Sequence, residues 1–271
     1  MRRIIYLCIL FWGGMSITAF SQTIMGAREI GLGGAVTALP NNGWAVFENP
    51  AMLSDSAKSV DFYTMRYYGM TDLTDYAAAI TYPASIGTFA VGAHTYGGKL
   101  FRKSRIRAGF MHNVHHVRLG VVINYTDVVF PSPYGSAGAL GIDVGLAAKV
   151  MKGTWIAARS VNINGPNLGS KEEPLPRILA IGFSYQWRNR FMITSEVYKD
   201  TEFPISIRAG LEAQIVSILK LRAGITTEPL TYALGLGITK NKWQVNLAAQ
   251  KHYVLGWSPG VDFEWKIDGD Q

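Results

Sequence analysis

The chain has 271 residues, 48% of them hydrophobic and 17% charged, a length that suits one large domain and a composition that excludes disorder. Its formal charge of +7 comes from 26 basic against 19 acidic residues. No basic cluster is interleaved with aromatics, so nucleic acid is not an expected partner.

Arg2 and Arg3, the apolar run from Ile4 to Trp12, and Ala19-Phe20-Ser21 ahead of Gln22 lay out a secretory signal peptide over residues 1–21. Its removal takes away two arginines and leaves 24 basic against 19 acidic residues, or +5. It also removes Cys8, the only cysteine, so the exported chain is expected to hold no disulfide, thiolate zinc site or catalytic thiol. No later run approaches the roughly 20 apolar residues of a spanning helix. If this chain crosses a membrane, it does so with strands.

Residues 22–58 read unlike the rest, with Gly31, Gly33 and Gly34 close together, a turn at Asn41-Asn42-Gly43 and a close on Asn49-Pro50-Ala51. Three glycines so near one another suit no exposed helix, since each costs about 1 kcal/mol against alanine there. Packing inside a cavity would accommodate them, and the interleaved apolar residues favour that over a flexible linker. The segment is therefore expected to be a plug, or hatch, in a barrel formed by residues 59–271.

From Val60 onward the chain alternates with period two. Ile205, Ile207, Ala209, Leu211, Ala213 and Ile215 share one face of a strand, while Ser206, Arg208, Gly210, Glu212 and Gln214 share the other. Alternation alone also fits a soluble sandwich. Length argues otherwise: about fourteen segments, near 60–68, 75–83, 87–97, 105–114, 116–127, 139–150, 154–162, 177–187, 190–200, 205–215, 219–228, 232–240, 242–253 and 260–267, mostly have the roughly 9–11 residues of a tilted spanning strand. Parity agrees. With the N-terminus in the periplasm, every periplasmic gap is short, and the longer gaps at Gly98–Ser104, Val128–Gly138, Ile163–Pro176 and Val254–Pro259 fall at the other end. Aromatics near strand ends, among them Tyr67, Tyr68, Tyr82, Tyr125, Trp187, Tyr198, Trp243 and Trp257, suit interfacial girdles. The expected fold is an all-β transmembrane antiparallel barrel of about fourteen strands with both termini periplasmic, in the outer membrane of a Gram-negative-type bacterium and in contact with its lipid.

Little in the sequence points to chemistry. His112, His115 and His116 cluster at a short turn, but strand-end histidines are commonly just solvated. Gly-x-Ser-x-Gly is absent, and Gly31-Leu32-Gly33-Gly34 lacks the βαβ setting of a dinucleotide site. No catalytic residue, metal site or cofactor is expected. The inward charges Arg105, Arg107, Arg118, Asp143, Lys149, Glu196, Arg208, Glu212, Lys220, Arg222, Asp262, Glu264 and Lys266 carry both signs. They are expected to pair across the lumen and lock the plug, with Arg208, Glu212, Arg222 and Glu196 as the centre of that network. A conducting pore is the rival reading.

Gly26-Ala27-Arg28, Gly31-Leu32-Gly33-Gly34-Ala35, the tip near Asn41-Asn42-Gly43 and Asn49-Pro50-Ala51-Met52-Leu53 resemble the N-terminal signature of the PorV/PorQ family of outer-membrane proteins. The Asn-Pro-Ala-x-Leu ending is also similar to the hatch of FadL-type fatty-acid transporters. The Arg-Ala-Gly repeats at Arg107–Gly109, Arg208–Gly210 and Arg222–Gly224 look like strands of the PorV/PorQ group. The match covers about 28 residues, and the chain departs from the pattern in its tip asparagines, in Trp44-Ala45-Val46-Phe47 and in its shorter length. The resemblance implies a fourteen-stranded barrel that serves as a non-enzymatic accessory or partner-binding subunit of the type IX secretion machinery. Alternatives are a FadL-like transporter with a hydrophobic ligand, or a subunit of another outer-membrane complex such as a barrel-assembly machine.

Overall fold

A computed structural model describes residues 24–131, 135–169 and 173–267; the expected signal peptide and Cys8 lie outside the described residues. The wall consists of β1 (Lys58–Arg66), β2 (Thr74–Ala84), β3 (Gly87–Gly97), β4 (Arg102–Val114), β5 (Val117–Val129), β6 (Ser136–Met151) and β7 (Thr154–Val161). It continues with β8 (Ile178–Trp187), β9 (Phe191–Asp200), β10 (Ser206–Val216), β11 (Leu219–Thr227), β12 (Leu230–Lys240), β13 (Trp243–His252) and β14 (Gly256–Ile267). Each strand pairs antiparallel with its chain neighbours, and β14 returns to β1, from Met65 opposite Gly260 to Lys58 opposite Ile267. The sheet is a closed fourteen-stranded barrel without an edge.

Side-chain alternation sets which face is which. In β10, Ser206, Arg208 and Glu212 are buried in the barrel while Ile207 and Leu211 are exposed outside. Around the wall the exposed residues are large and apolar, as with Ile181 at 64% and Leu234 at 60%. A soluble sandwich would bury that face between two sheets; here it is the outer surface, matching a transmembrane barrel. No helix among the described residues is long and apolar enough to cross a membrane.

The two ends differ. At one, connections are two or three residues long, and His115, Arg188, Asn189 and Asn241 take the left-handed conformation that such tight turns need. The other end carries the longer connections, including 162–177, in which Asn167–Leu168 pairs with Glu173–Pro174. Strands run further into the expected loops than the alternation indicated, since cross-strand pairing continues from Arg102 opposite Val129 to Val129 opposite Ser136. β1 stops earlier than expected, at Arg66, because Tyr67–Gly69 folds into a 3-10 turn held by Tyr68 N–H on Ser258 Oγ at 3.0 Å.

Residues 24–57 lie inside this ring. The short helix α1 (Ala27–Gly31) touches β11, β12, β13 and β14, the 3-10 turn Gly43–Val46 touches β1 to β4, and the turn Pro50–Met52 touches β4, β5 and β6. Met25, Leu32, Phe47, Met52 and Leu53 are fully buried there, so the apolar core sits in the lumen.

The outward face generates a direct test. Leu234→Arg, near the middle of β12, should destabilise the bilayer-folded protein by about 2–4 kcal/mol, measured by denaturant titration in lipid vesicles. A change below about 0.5 kcal/mol, the usual size for a surface substitution, would contradict a lipid-facing wall.

Candidate functional site

The lumen is where the N-terminal segment meets the wall. Gly33 holds a left-handed φ of 62°, and a Cβ there would lie 2.6 Å from Ile225 N; a Cβ on the facing wall residue, Gly224, would lie 2.0 Å from Gly33 N. Only two glycines allow the backbones to come this close. The wall makes similar room at Gly210 for Leu32, at Gly120 for Ala51 and at Gly145 for Asn49. Gly31 sits against Gly235, Gly34 against Ile24 and Arg208, and Gly26 caps α1 beside Glu29 and Trp44.

Asn49 ties the segment together. Its Nδ2 donates to Thr37 O at 2.7 Å and its Oδ1 accepts from Ala51 N–H at 3.1 Å, while Pro50 takes the first position of the turn and Ala51 is fully buried. This is the bond-back expected of an asparagine before such a turn.

Many of the charges fall into two clusters. In one, Glu196 Oε2 accepts from the Val36 and Thr37 N–H groups at 3.0 and 2.8 Å, while Oε1 faces Arg208 at 3.2 Å and Arg159 at 3.6 Å. Arg159 also pairs with Glu48 of the segment. In the other, Glu212 is met by Arg28 at 3.1 Å, Arg222 at 2.7 Å and Lys220 at 3.5 Å. Arg222 continues through Asn246 to Asp262, whose Oδ2 accepts from Ala27 N–H at 2.6 Å and Arg28 N–H at 3.2 Å. Wall side chains thus satisfy backbone donors of a segment that has no sheet partner of its own. Side chains of the segment are less fully matched: Glu29 Oε2, Thr37 Oγ1 and Asn42 Nδ2 are buried without a hydrogen-bond partner among the described residues, and burial, then Asp262, pushes the Glu29 carboxyl well above the usual carboxylate range.

A second concavity, of about 580 Å³, opens on the outer wall where β14, β1, β2 and β3 lie side by side. Phe62, Tyr76 and Phe263 flank it; Thr64, Ala78 and Ala93 leave the hollow, with Ala78 paired to both Phe62 and Ala93. Thr95 and Val261 also line it, as do Tyr63, Ala77, His94 and Asp262, whose side chains turn to the lumen. Directly behind, Trp44 meets Tyr63 edge-on at 5.8 Å and Phe47 meets His94 at 6.4 Å.

Arg208, Glu212, Arg222 and Glu196 are therefore brought together with the segment, as are Arg28 and Asp262. Sequence reading placed Arg105 inward but missed Glu48, Arg159 and the partners of Arg105: Asp75 accepts from Tyr67 at 2.8 Å and sits 2.7 Å from His94, to which Arg105 donates at 3.1 Å. The inward parity of Asp75, His94 and Arg159 was the available signal. Two expected girdle residues are not girdle: Tyr67 points to Asp75, and Tyr198 is buried beneath the Arg208 guanidinium at 3.7 Å. Lys149 stands at the lumen mouth over Trp155 rather than within the network. His112 bonds Ile86 O at 2.8 Å, and no group of three His, Cys, Asp or Glu able to hold a metal occurs among the described residues.

No protein-family model and no curated protein matches the sequence. Solved structures do match. A TodX monoaromatic hydrocarbon channel deltaS2 mutant superposes with a TM-score of 0.67 at 11% identity, over 90% of this chain and 99% of that one. The Pseudomonas putida toluene transporter TodX gives 0.62 at 13% identity, over 90% and 97%. A Pseudomonas aeruginosa FadL homologue gives 0.62 at 11%, over 92% and 99%. At such identities the likeness is one of fold: the chain shares the barrel fold of these FadL-like proteins, and its resemblance to the PorV/PorQ family rests on the N-terminal signature and the Arg-Ala-Gly repeats of the sequence.

Proposed function

We propose that this chain is a non-enzymatic barrel of the bacterial outer membrane, with periplasmic termini and a lumen closed by the N-terminal segment that ends at residue 57, that binds an apolar small molecule at the wall groove. The carrying observation is the groove of about 580 Å³. Its volume falls in the range of roughly 300–1,000 Å³ typical of small-molecule sites, and aromatic rings and alanines line its open side. The fold neighbours that are a hydrocarbon channel and a toluene transporter support an apolar ligand of that class. The segment behind the groove acts as a plug: Glu196, Glu212 and Asp262 hold it by charge and hydrogen bond, and facing glycines let it seat against the strands.

The same closed lumen favours a second reading, that of an accessory subunit in an outer-membrane protein complex, whether type IX secretion or barrel assembly. A barrel filled by its own N-terminal segment offers partners a rigid surface rather than a path. The two readings separate on purification: a ligand-binding barrel retains apolar molecules extractable by organic solvent, whereas an accessory subunit leaves the membrane in a large complex under mild detergent.

Two results are expected. Ala78→Trp with Ala93→Trp fills the groove and should weaken binding of toluene or a fatty acid to the detergent-solubilised barrel at least about tenfold, because these groups occupy the ligand volume; unchanged affinity would remove the groove as the site. Glu196→Ala leaves Arg208, Arg159 and two backbone N–H groups without their acceptor and should cost about 3–5 kcal/mol of barrel stability. Loss of the heat-resistant folded band in gels reads this out, and a variant as stable as wild type would refute the plug lock.

A further inference from the structure

We infer that the short-turn rim of the barrel binds anionic phospholipid headgroups of the adjoining leaflet, an inference that rests on the membrane-barrel reading above. Lys58, Lys152, Arg188, Arg190 and Lys240 stand on this rim, in the turns or on outward-facing strand ends. The carboxylates at this end among the described residues are Asp55, Asp61 and Glu264: Asp55 is met by Arg118 at 2.5 Å and Glu264 by Lys266 at 3.5 Å, while Asp61 is buried inside and accepts from Ser59 Oγ at 2.8 Å. The opposite end is mixed in sign: Asp72, Asp127, Glu202 and Glu228 stand among Lys99, Arg102 and Lys251. Net positive charge is thus concentrated at the short-turn mouth.

The rim is also built as a membrane interface. Lys58 Nζ lies 4.9 Å above the Tyr82 ring and the Arg188 guanidinium 5.0 Å from Trp187, while Trp243 stacks on Trp265 at 5.3 Å. Such rings settle at headgroup level and place the cations beside them at the phosphates. Immediately beyond, the wall becomes the exposed apolar band of Ile181, Ile193, Leu211 and Ile238. A phosphate-bearing lipid can lay its chains on that band and its charge on the rim, an arrangement that a soluble acidic protein would use only in part.

The test uses the full chain folded in detergent, and a variant carrying Lys152→Gln, Arg188→Gln, Arg190→Gln and Lys240→Gln. Both are titrated with phosphatidylglycerol and phosphatidylcholine of identical chains, with bound lipid counted by native mass spectrometry and folding checked by heat-modifiability. The wild type should prefer phosphatidylglycerol by about tenfold or more, the preference should weaken in salt, and the folded variant should lose it. Equal uptake of both lipids by folded wild type would overturn this inference while leaving the barrel reading intact. So would capture of polyglutamate without any lipid preference, which would mark an acidic-protein surface. Failure of the wild type to give a heat-modifiable folded barrel in detergent would overturn both readings together.

Discussion

Closure of β14 on β1 is the constraint from which the rest follows. In hydrocarbon no water is present to satisfy an exposed N–H or C=O, so a sheet can span only if it has no edge. Eight registered pairs from Lys58–Ile267 to Met65–Gly260 meet that demand. Once the ring is closed, every strand must present an apolar face outward, and its polar residues can go only inward. Charges in the lumen are therefore imposed by the wall before they serve any purpose.

A lumen walled by Arg107, Arg159, Arg208, Arg222, Asp143, Glu196, Glu212 and Asp262 is costly to dry out unless each charge is paired. The N-terminal segment is the converse case: it has turns and a five-residue helix, and so carries backbone donors with no sheet to receive them. Each solves the other's problem. Glu196 accepts from Val36 and Thr37, Asp262 from Ala27 and Arg28, and Arg107 donates to Phe47 O at 2.7 Å. Charge–backbone bonds of this kind need close approach, which explains the glycines opposite one another at Gly33 and Gly224 better than any need for flexibility.

The faces of the strands were legible in the sequence because a side chain in a barrel wall meets one of only two environments, and period two records the choice directly. Strand number and the difference between the two ends followed from lengths between turn residues. Height along the barrel axis was not legible. Glu48 and Arg159 are 111 residues apart and Asp75 and His94 are on adjacent strands; which inward residues share a level depends on strand stagger, which no local pattern encodes. Tyr67 and Tyr198 were misplaced for another reason: an aromatic near a strand end reads as girdle, although Tyr198 shares the inward parity of Glu196. The glycines of the N-terminal segment stood out in sequence, whereas their wall counterparts looked like ordinary strand glycines.

The groove belongs to a further kind of feature, one that exists only laterally. Ala78 and Ala93 are unremarkable in their own strands, and the hollow arises because pairing sets them side by side next to Phe62. It lies over β1, the strand into which the N-terminal segment leads, and over β2 and β3, against which Trp44 and Phe47 pack from within. One sheet thickness separates an apolar hollow on the outside from the aromatic cluster of the segment on the inside. Tyr63 and His94 take part in both, lining the hollow and facing the rings. Any molecule seated in the groove thus rests on wall residues whose other contacts include the segment inside the ring, so occupancy outside and packing inside bear on the same strands.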